Sequence, residues 1–277
     1  MSKIAVCVVT YNQEKYIAQC LDSALMQVCT QTVVIYVGED YSSDSTGLIC
    51  DEYARKYSNI KVFHSKSNIG LVRNTIQILE AIKADGCSYI AMLDGDDYWI
   101  DREKLQKEYD FLERNQDYGL VHTNMYLLYN DKLIATRKKG DVVPSGNVFD
   151  IFSSYTIGNC TAFYKTDLLK YINLDDLVSH GFMSLDYVMY CIFAKNTKIG
   201  YLSDLTSVWR RGHASVSNAN DMHKQIAYLE NDIRMWRYLD EKYDGYFYYS
   251  EDSVVAYKDS RTFQIAYKYM IIRNMSH

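Results

Sequence analysis

The segment most informative about the fold is Tyr89-Ile90-Ala91-Met92-Leu93-Asp94-Gly95-Asp96-Asp97. An uncharged apolar run leads directly into three carboxylates, which is the pattern of a buried β-strand that ends on an acidic turn. A strand without polar interruption is typical of a parallel sheet that is covered on both faces by helices. The stretch therefore predicts an acidic turn at the carboxyl end of a buried strand.

Three similar apolar runs precede this strand, and helical patterns separate them. The predicted strands are 4–9, 33–37 and 60–63, and the predicted helices cover about 14–26, a segment from 42–46 to about 57, and about 71–83. Strand-helix alternation of this length implies right-handed crossovers and a mainly parallel sheet. We therefore predict an α/β domain.

The pattern changes after about residue 117. Residues 120–126 and 133–135 are predicted strands on either side of a turn at 130–132. A long helix is predicted over about 219–243. The second half of the chain thus continues the domain, and a helical appendage follows it.

Composition excludes several classes of protein. The net charge of −5 and a pI of about 5.7 argue against a nucleic-acid partner, because such proteins carry a basic face. Seven scattered cysteines, none in a C-x-x-C pair, indicate free thiols in a reducing compartment. The start of the sequence shows no secretory signal, and no apolar stretch is long enough to span a bilayer. The expected location is the cytoplasm.

Polar side chains follow each of the four predicted strands. They are Thr10-Tyr11-Asn12, Glu39-Asp40, Asn68-Ile69-Gly70 and Asp94-Gly95-Asp96-Asp97. Each alone is explained by a helix cap or a turn. Because ligands gather at the carboxyl ends of the strands in an open parallel sheet, their joint placement favours a binding site.

The acidic turn favours a divalent cation. Carboxylates this close repel one another unless a cation lies between them. Mg²⁺ or Mn²⁺ prefers oxygen ligands and is held by one or two carboxylates together with substrate phosphates. Gly95 permits a tight turn and the approach of a ligand. The sequence therefore predicts a site for a metal and a diphosphate, with a solvated turn as the alternative.

Four motifs in this order resemble those of family 2 glycosyltransferases. They are Val8-Val9-Thr10-Tyr11-Asn12, Gly38-Glu39-Asp40-Tyr41-Ser42-Ser43-Asp44-Ser45-Thr46, Asn68-Ile69-Gly70-Leu71-Val72-Arg73-Asn74 and Leu93-Asp94-Gly95-Asp96-Asp97. The resemblance covers about the first 210 residues. It implies a GT-A fold with a mainly parallel, Rossmann-like sheet flanked by helices, and transfer of a sugar from a nucleotide diphosphate donor with inversion.

The resemblance also implies domains and partners. Residues 1–215 would form the GT-A domain, with a nucleotide-sugar-binding half at 1–117 and an acceptor-binding half at 118–215, and residues 216–277 a helical C-terminal extension. The expected donor is a UDP-sugar, and the expected acceptor a saccharide or lipid-linked saccharide of a surface polysaccharide.

By the same resemblance, residues of the first half take roles toward the donor. Those expected to hold the nucleotide-sugar are Thr10, Tyr11, Asn12, Asp40, Asn68, Arg73, Asp94, Gly95 and Asp96. Tyr11 would pack on the base, and Asp40 would accept hydrogen bonds from it. Asp96 would bind the metal, Asp94 the ribose or the metal, and Asp97 would support the turn from behind.

The second half supplies the candidate base. Gly181-Phe182-Met183-Ser184-Leu185-Asp186-Tyr187 resembles the family segment whose acid takes the acceptor proton, so Asp186 is the expected catalytic base. Its alternative role is a helix N-cap, and Asp175 and Asp176 compete with it. The segment Val208-Trp209-Arg210-Arg211-Gly212-His213 resembles one that approaches the metal and diphosphate. This likeness implies that His213 is a metal ligand. The spacing in this chain is one residue longer than in the family segment, and Arg210 or Arg211 is the alternative source of positive charge.

The C-terminal part of the sequence has two interpretations. The aromatic and basic residues between 246 and 273 suit either peripheral contact with a membrane or packing on the domain or a partner subunit.

A nucleotide-sugar-binding protein without catalysis and a sugar-nucleotide pyrophosphorylase are the alternative functions. The pyrophosphorylase normally has a glycine-rich basic loop after its first strand, where this chain has 10–14 without one.

Overall fold

The computed structural model of the chain describes residues 2–137, 157–211 and 222–244. The chain divides into two compact units, one of residues 1–179 and 184–210, the other of residues 180–183 and 211–277. In the first unit the elements are β1 (Lys3–Thr10), α1 (Ile17–Leu25), β2 (Thr32–Glu39), α2 (Thr46–Lys56), β3 (Ile60–His64), α3 (Leu71–Ala84), β4 (Tyr89–Asp94), β5 (Tyr98–Trp99), α4 (Lys104–Arg114), β6 (Tyr118–Tyr129), β7 (Lys132–Ala135), β8 (Ala162–Lys165), α5 (Leu174–Ser179), α6 (Asp186–Asn196) and β9 (Lys198–Arg210). Short 3₁₀ helices cover Asn159–Thr161 and Thr166–Tyr171.

The strands of the first unit form one sheet. Their order is β3-β2-β1-β4-β8-β6-β9-β5, and β7 pairs with β6. Strands β3, β2, β1 and β4 are mutually parallel, whereas β8 is antiparallel to both β4 and β6. Strand β9 runs parallel to β6 with shifts in register. The predicted α/β fold with helices flanking a mainly parallel sheet is confirmed.

The core explains why the first strands were visible in the sequence. Every residue of β1 from Ile4 to Val9 is buried, so both faces of the strand are covered. Helix α1 buries Ile17, Cys20, Leu21 and Ala24 at helical spacing against the same core. The predicted strands and helices of this half recur within a few residues of their expected bounds.

Gly38 in β2 allows helix α3 to approach the sheet closely. A Cβ at Gly38 would lie 2.4 Å from Oδ1 of Asn74 on α3. Asn74 instead donates from Nδ2 to the Gly38 carbonyl at 2.8 Å. This contact brings α3 down onto β2 next to the polar edge of the sheet.

The second half contains elements that were predicted and elements that were not. Strands β6 and β7 form the predicted hairpin, whose turn residues Asn130 and Asp131 have φ of 48° and 57°, as the tight primed turns require. Helix α4 was not predicted, because its buried face carries Lys104 and Glu108 in place of apolar residues. The Lys104 ammonium donates to both Glu108 oxygens at 2.7 Å and lies 4.8 Å from the ring of Trp99.

The second unit contains the helix α7 (Met222–Lys242), which agrees with the helix predicted over about 219–243. Within this unit Asn231 is buried and accepts a hydrogen bond from the Met183 backbone N–H at 2.9 Å. No helix in the described part of the chain is long and apolar enough to cross a membrane. The predicted boundary at 215/216 and the aromatic, basic segment 246–273 lie outside the described residues.

Candidate active site

The carboxyl ends of β1, β2 and β4 lie side by side at one edge of the sheet. In the paired registers Thr10 is opposite Glu39, and Val9 is opposite Asp94. The polar residues that follow these strands therefore share one rim. The sequence-predicted placement of Thr10, Asp40 and Asp94 at a common edge matches this arrangement.

The acidic turn after β4 is packed against the loop after β1. The Gly95 backbone N–H donates to the Val9 carbonyl at 3.0 Å. A Cβ at Gly95 would lie 2.4 Å from the Gln13 side-chain oxygen and 2.8 Å from Thr10. Thr10 in turn donates its hydroxyl to that Gln13 oxygen at 2.7 Å. The buried Gly95 thus allows the two loops to touch, and this explains its presence independently of any ligand.

Asp94 is held by a neutral donor. The Asn159 side-chain amide donates to both Asp94 oxygens, at 3.0 and 3.1 Å. Burial, and next the charge of Asp96, raises the pKa of Asp94 to about 7, although the Asn159 hydrogen bonds lower it. The Asp186 charge also raises the pKa of Asp94.

Asp97 has a different environment from Asp94. Its side chain is buried and accepts a hydrogen bond from the Arg210 backbone N–H at 2.9 Å. Burial, together with the charges of Asp96 and Asp94, raises its pKa well above the usual value. Asp97 therefore fastens the acidic turn to the end of β9.

Arg210 brings a positive charge to the turn. Its guanidinium lies 4.5 Å from the Tyr98 ring and 5.0 Å from the Tyr16 ring, and so stacks with both. It donates to the Asp96 backbone carbonyl and to the Gln19 side-chain oxygen. The cation is thus fixed beside the acidic turn.

The loops after β1 and β2 are joined by hydrogen bonds. Asn12, with φ of 52°, donates its backbone N–H to Ser42 at 3.0 Å and accepts from the Ser43 backbone N–H at 2.8 Å. Tyr11 is 46% exposed at this edge, so its ring is accessible to a ligand. Asp40 is buried and accepts backbone hydrogen bonds from 69 and 70 at 2.7 and 2.8 Å.

These bonds give Asp40 a role that the sequence did not show. Its carboxylate organises the loop before α3, and Asn68 adds a hydrogen bond of 3.4 Å to the Asp40 carbonyl. Each carboxylate oxygen retains a second lone pair, so a contact with a base remains compatible with this role. Arg73 has an exposed side chain in the first turn of α3, at the same edge.

Comparison with known proteins identifies the family. Residues 5–183, well over half of the chain, match the family described as Glycosyl transferase family 2. The chain belongs to glycosyl transferase family 2. The resemblance drawn from the four motifs is therefore confirmed.

Relatives of this glycosyl transferase family 2 chain include an uncharacterized protein of Mycobacterium tuberculosis, 27% identical over 207 residues. The match covers 73% of this chain and 57% of that protein. The poly(ribitol-phosphate) beta-N-acetylglucosaminyltransferase TarS of Staphylococcus aureus is 29% identical over 175 residues, which are 61% of this chain and 29% of TarS. The chain thus spans little more than half of the first relative and less than a third of the second.

Solved structures show the same fold. TarS 1–349 in complex with UDP-GlcNAc superposes with a TM-score of 0.63 at 22% identity, covering 90% of this chain and 74% of that one. The mannosyltransferase PcManGT of Pyrobaculum calidifontis, in complex with GDP-Man and Mn²⁺, superposes with a TM-score of 0.61 at 13% identity, covering 95% and 74%. The predicted GT-A fold is confirmed by these likenesses.

Asp94 and Asp96 of this family 2 chain fit a divalent cation. The repulsion that raises the pKa of Asp94 is relieved when a cation joins the two carboxylates. In residues 2–137, 157–211 and 222–244 no group of three His, Cys, Asp or Glu side chains is arranged to hold a metal ion. Where one or two carboxylates hold such a cation, substrate phosphates commonly complete its ligands. His213, the predicted third ligand, lies outside the described residues.

Asp186 is the first residue of α6, and its side chain is half-buried. The alternative role of N-cap is wrong, because Leu185 occupies that position and no side chain caps the helix. The competitors Asp175 and Asp176 lie in the first turn of the short helix α5. Asp186 and Arg210 both lie beyond the residues that match the family, so the family match does not cover them.

Sequence reasoning missed two residues of the site. It did not connect Asn159 with the acidic turn, whereas the structure bonds this residue to Asp94. Tyr190 was not considered, although its hydroxyl donates to the Asn159 side-chain oxygen at 2.7 Å. The nearest sequence signal was the position of Tyr190 four residues after Asp186 on one helix, since residues so spaced share a face.

Proposed function

We propose that this chain transfers a sugar from a UDP-sugar to a hydroxyl of a glycan or lipid-linked glycan, with inversion, in surface polysaccharide synthesis. The observation that carries the proposal is the acidic turn at the end of β4, which Asn159 and Tyr190 connect to the helix that begins at Asp186. Asp94 ends β4, Asp96 follows it, and the charge of Asp186 on α6 raises the pKa of Asp94. Asp94 and Asp96 are suited to hold a cation that binds the donor diphosphate, and Asp186 is suited to accept a proton.

The structures of relatives support the donor and the cation. TarS binds UDP-GlcNAc and PcManGT binds GDP-Man with Mn²⁺, in each case on the fold that this chain shares. TarS is named for transfer to poly(ribitol-phosphate), so the hydroxyl of a surface polymer is the acceptor class to test first. A bound Mg²⁺ or Mn²⁺ would supply charge that stabilises the leaving diphosphate.

The residues of the chain have separate tasks in this mechanism. Tyr11 packs on the base, and Asp40 and Thr10 hold the nucleoside at the ends of β2 and β1. Arg210 adds fixed positive charge beside the diphosphate. Asp186 accepts the proton of the acceptor hydroxyl while its oxygen forms a bond to the anomeric carbon. The bond from that carbon to the diphosphate oxygen breaks in the same step, which releases the nucleoside diphosphate.

Two variants test the assignment. Asp186→Asn should reduce turnover by at least about 100-fold, the scale of general base catalysis, while binding of UDP with Mn²⁺ is retained. Asp96→Ala should remove both turnover and metal-dependent binding of UDP. Asp175→Asn is the matched control, because it removes an acid from the neighbouring α5.

Sugar transfer and nucleotide binding are measured separately, the first by release of UDP in the presence of acceptor and the second by calorimetry. If wild type binds UDP with Mn²⁺ but neither transfers sugar nor hydrolyses the donor, the chain is a binding protein without catalysis. Near-normal turnover of Asp186→Asn would refute the choice of base, and loss of turnover in Asp175→Asn alone would move that role to α5.

A further inference from the structure

A chain of three side chains runs from helix α6 to the acidic turn. The Tyr190 hydroxyl donates to Oδ1 of Asn159 at 2.7 Å. Nδ2 of the same amide donates to the two Asp94 oxygens at 3.0 and 3.1 Å. Tyr190 is 1% exposed, and its position is therefore fixed by packing on all sides. These three residues come from α6, a 3₁₀ helix and β4, which are distant in sequence.

The Tyr190 hydroxyl completes the hydrogen bonds of the Asn159 amide. When Asp94 is ionised, its carboxylate only accepts hydrogen bonds, so the NH₂ group of Asn159 faces Asp94. The amide oxygen then faces α6, where the Tyr190 hydroxyl is its donor. Without that hydroxyl the amide oxygen loses its buried donor, and the amide is held less firmly against Asp94. One buried hydroxyl thus helps to fix the position of Asn159.

The amide also limits how Asp94 meets a ligand. Because Nδ2 is almost equally distant from the two oxygens, it lies head-on to the carboxylate. A cation chelated by both oxygens of Asp94 would need that same position. One acceptor direction on each oxygen remains open, since a carboxylate has about four lone-pair directions and Asn159 uses two. Asp94 is therefore left with single-oxygen contacts.

We propose that Asn159 is a positioning residue for Asp94, that Tyr190 fixes Asn159, and that both act on nucleotide affinity through the Asp94 carboxylate. The inference rests on the proposed function, because it assigns Asp94 to the nucleoside diphosphate or its cation. It also connects the acidic turn with α6, the helix that begins at Asp186. Neither Asn159 nor Tyr190 takes part in bond making.

The test is a double-mutant cycle of Tyr190→Phe and Asn159→Ala. The measured quantity is the affinity for UDP or GDP, whichever wild type binds more tightly, in the presence of Mn²⁺. Asn159→Ala should weaken this affinity about tenfold, and Tyr190→Phe about fivefold, as expected for lost hydrogen bonds to a charged group and to its supporter. In the Asn159→Ala background, Tyr190→Phe should have no further effect, because it acts only through that amide.

The matched control is Tyr164→Phe. Tyr164 is also fully buried, but its hydroxyl contacts the Met92 sulfur at 3.4 Å and not the acidic turn. Its loss should leave nucleotide affinity unchanged. A merely structural role of Tyr190 would lower the melting temperature of both tyrosine variants without separating their affinities.

Three outcomes would overturn the inference. They are a Tyr190→Phe affinity equal to that of Tyr164→Phe, additive losses in the double variant, and an Asn159→Ala affinity equal to that of wild type. The last comparison decides the matter even where Tyr190→Phe does not fold. If wild type itself binds neither nucleotide with Mn²⁺, the proposed function fails and the inference fails with it. Binding by wild type together with any of the three outcomes rejects the inference alone.

Discussion

Asp94 and Asp97 show how the partners of a residue decide what its side chain is available for. Asp94 is half-buried and bonded by a neutral amide, so its oxygens keep capacity for a ligand. Asp97, three positions later, is buried, and its carboxylate accepts a hydrogen bond from the backbone of β9. The sequence predicted one acidic cluster in this turn. Only the tertiary contacts distinguish Asp94, which keeps capacity for a ligand, from Asp97, which supports the turn.

Gly95 carries a prediction at the same scale. Gly95→Ala places a Cβ 2.4 Å from the Gln13 oxygen and 2.8 Å from Thr10, so one of the two loops must move. We expect a loss of about 1–3 kcal/mol in the free energy of unfolding, the usual cost of overpacking. Affinity for UDP with Mn²⁺ should fall as well, because Asp94 and Asp96 flank the substituted position. Urea denaturation and calorimetry measure the two effects.

Gly47→Ala is the control for this change. Its Cβ would meet Glu39 atoms at 3.5 Å, an ordinary contact, within helix α2. The free energy of unfolding should stay the same or rise by up to about 1 kcal/mol, since alanine restricts the unfolded chain more than glycine. Equal effects of the two substitutions would show that the contact between the loops is not tight in solution.

At the scale of elements, His64 joins three of them. It ends β3, and its ring nitrogens contact Glu39 of β2 at 3.1 Å and Asp51 of α2 at 2.8 Å. Burial alone would lower the pKa of His64, but the hydrogen bonds to Asp51 and Glu39 outweigh it and raise the pKa. Glu39 also accepts from the Ser42 backbone N–H at 2.7 Å, so this network borders the loop after β2.

The raised pKa of His64 fixes the direction of a pH effect on stability. A histidine whose folded pKa lies above its unfolded value, about 6.5, stabilises fully below that value. The contribution is lost as the pH rises through the higher folded pKa. Between pH 6 and pH 9 the free energy of unfolding of wild type should therefore fall more than that of His64→Gln. The ring is 43% exposed, so the difference is modest at physiological salt.

Asp51→Asn provides the check on this effect, because it removes one of the two carboxylates without touching the ring. Its pH dependence, measured by urea denaturation, should lie between those of wild type and His64→Gln. An identical fall in all three proteins would assign the pH dependence to other groups, such as the thiols.

The elements also show where sequence patterns succeed. Strands β1 and β4 were predicted because uninterrupted apolar runs match strands buried on both faces. Strand β9 was missed, because its buried positions include Thr206 and Ser207, which pair with polar partners such as Thr123. Its register against β6 also shifts, which breaks any regular alternation. Buried polar residues satisfied by one another leave no periodic hydrophobic signal.

At the scale of the whole molecule, the site could be predicted only where topology alone places residues together. Parallel strands bring their carboxyl ends to one edge, so the common position of Thr10, Asp40 and Asp94 followed from the strand pattern. The bond between Asn159 and Asp94 spans 65 residues and depends on how β8 enters the sheet, which no local pattern encodes. The residues at the strand ends were therefore more predictable than the residues that bond to them from distant parts of the chain.

Binding of nucleotide and metal should stabilise the folded protein as a whole. A ligand that binds only the native state at about 100 times its dissociation constant adds about 2.7 kcal/mol to the free energy of unfolding. UDP with Mn²⁺ should therefore raise the melting temperature of wild type, and EDTA should remove most of the rise. Asp186→Asn should keep the rise, because the proposed base does not hold the nucleotide, whereas Asp96→Ala should lose it. A rise that survives EDTA would mean that Arg210, already fixed beside the turn, supplies the compensating charge without a metal.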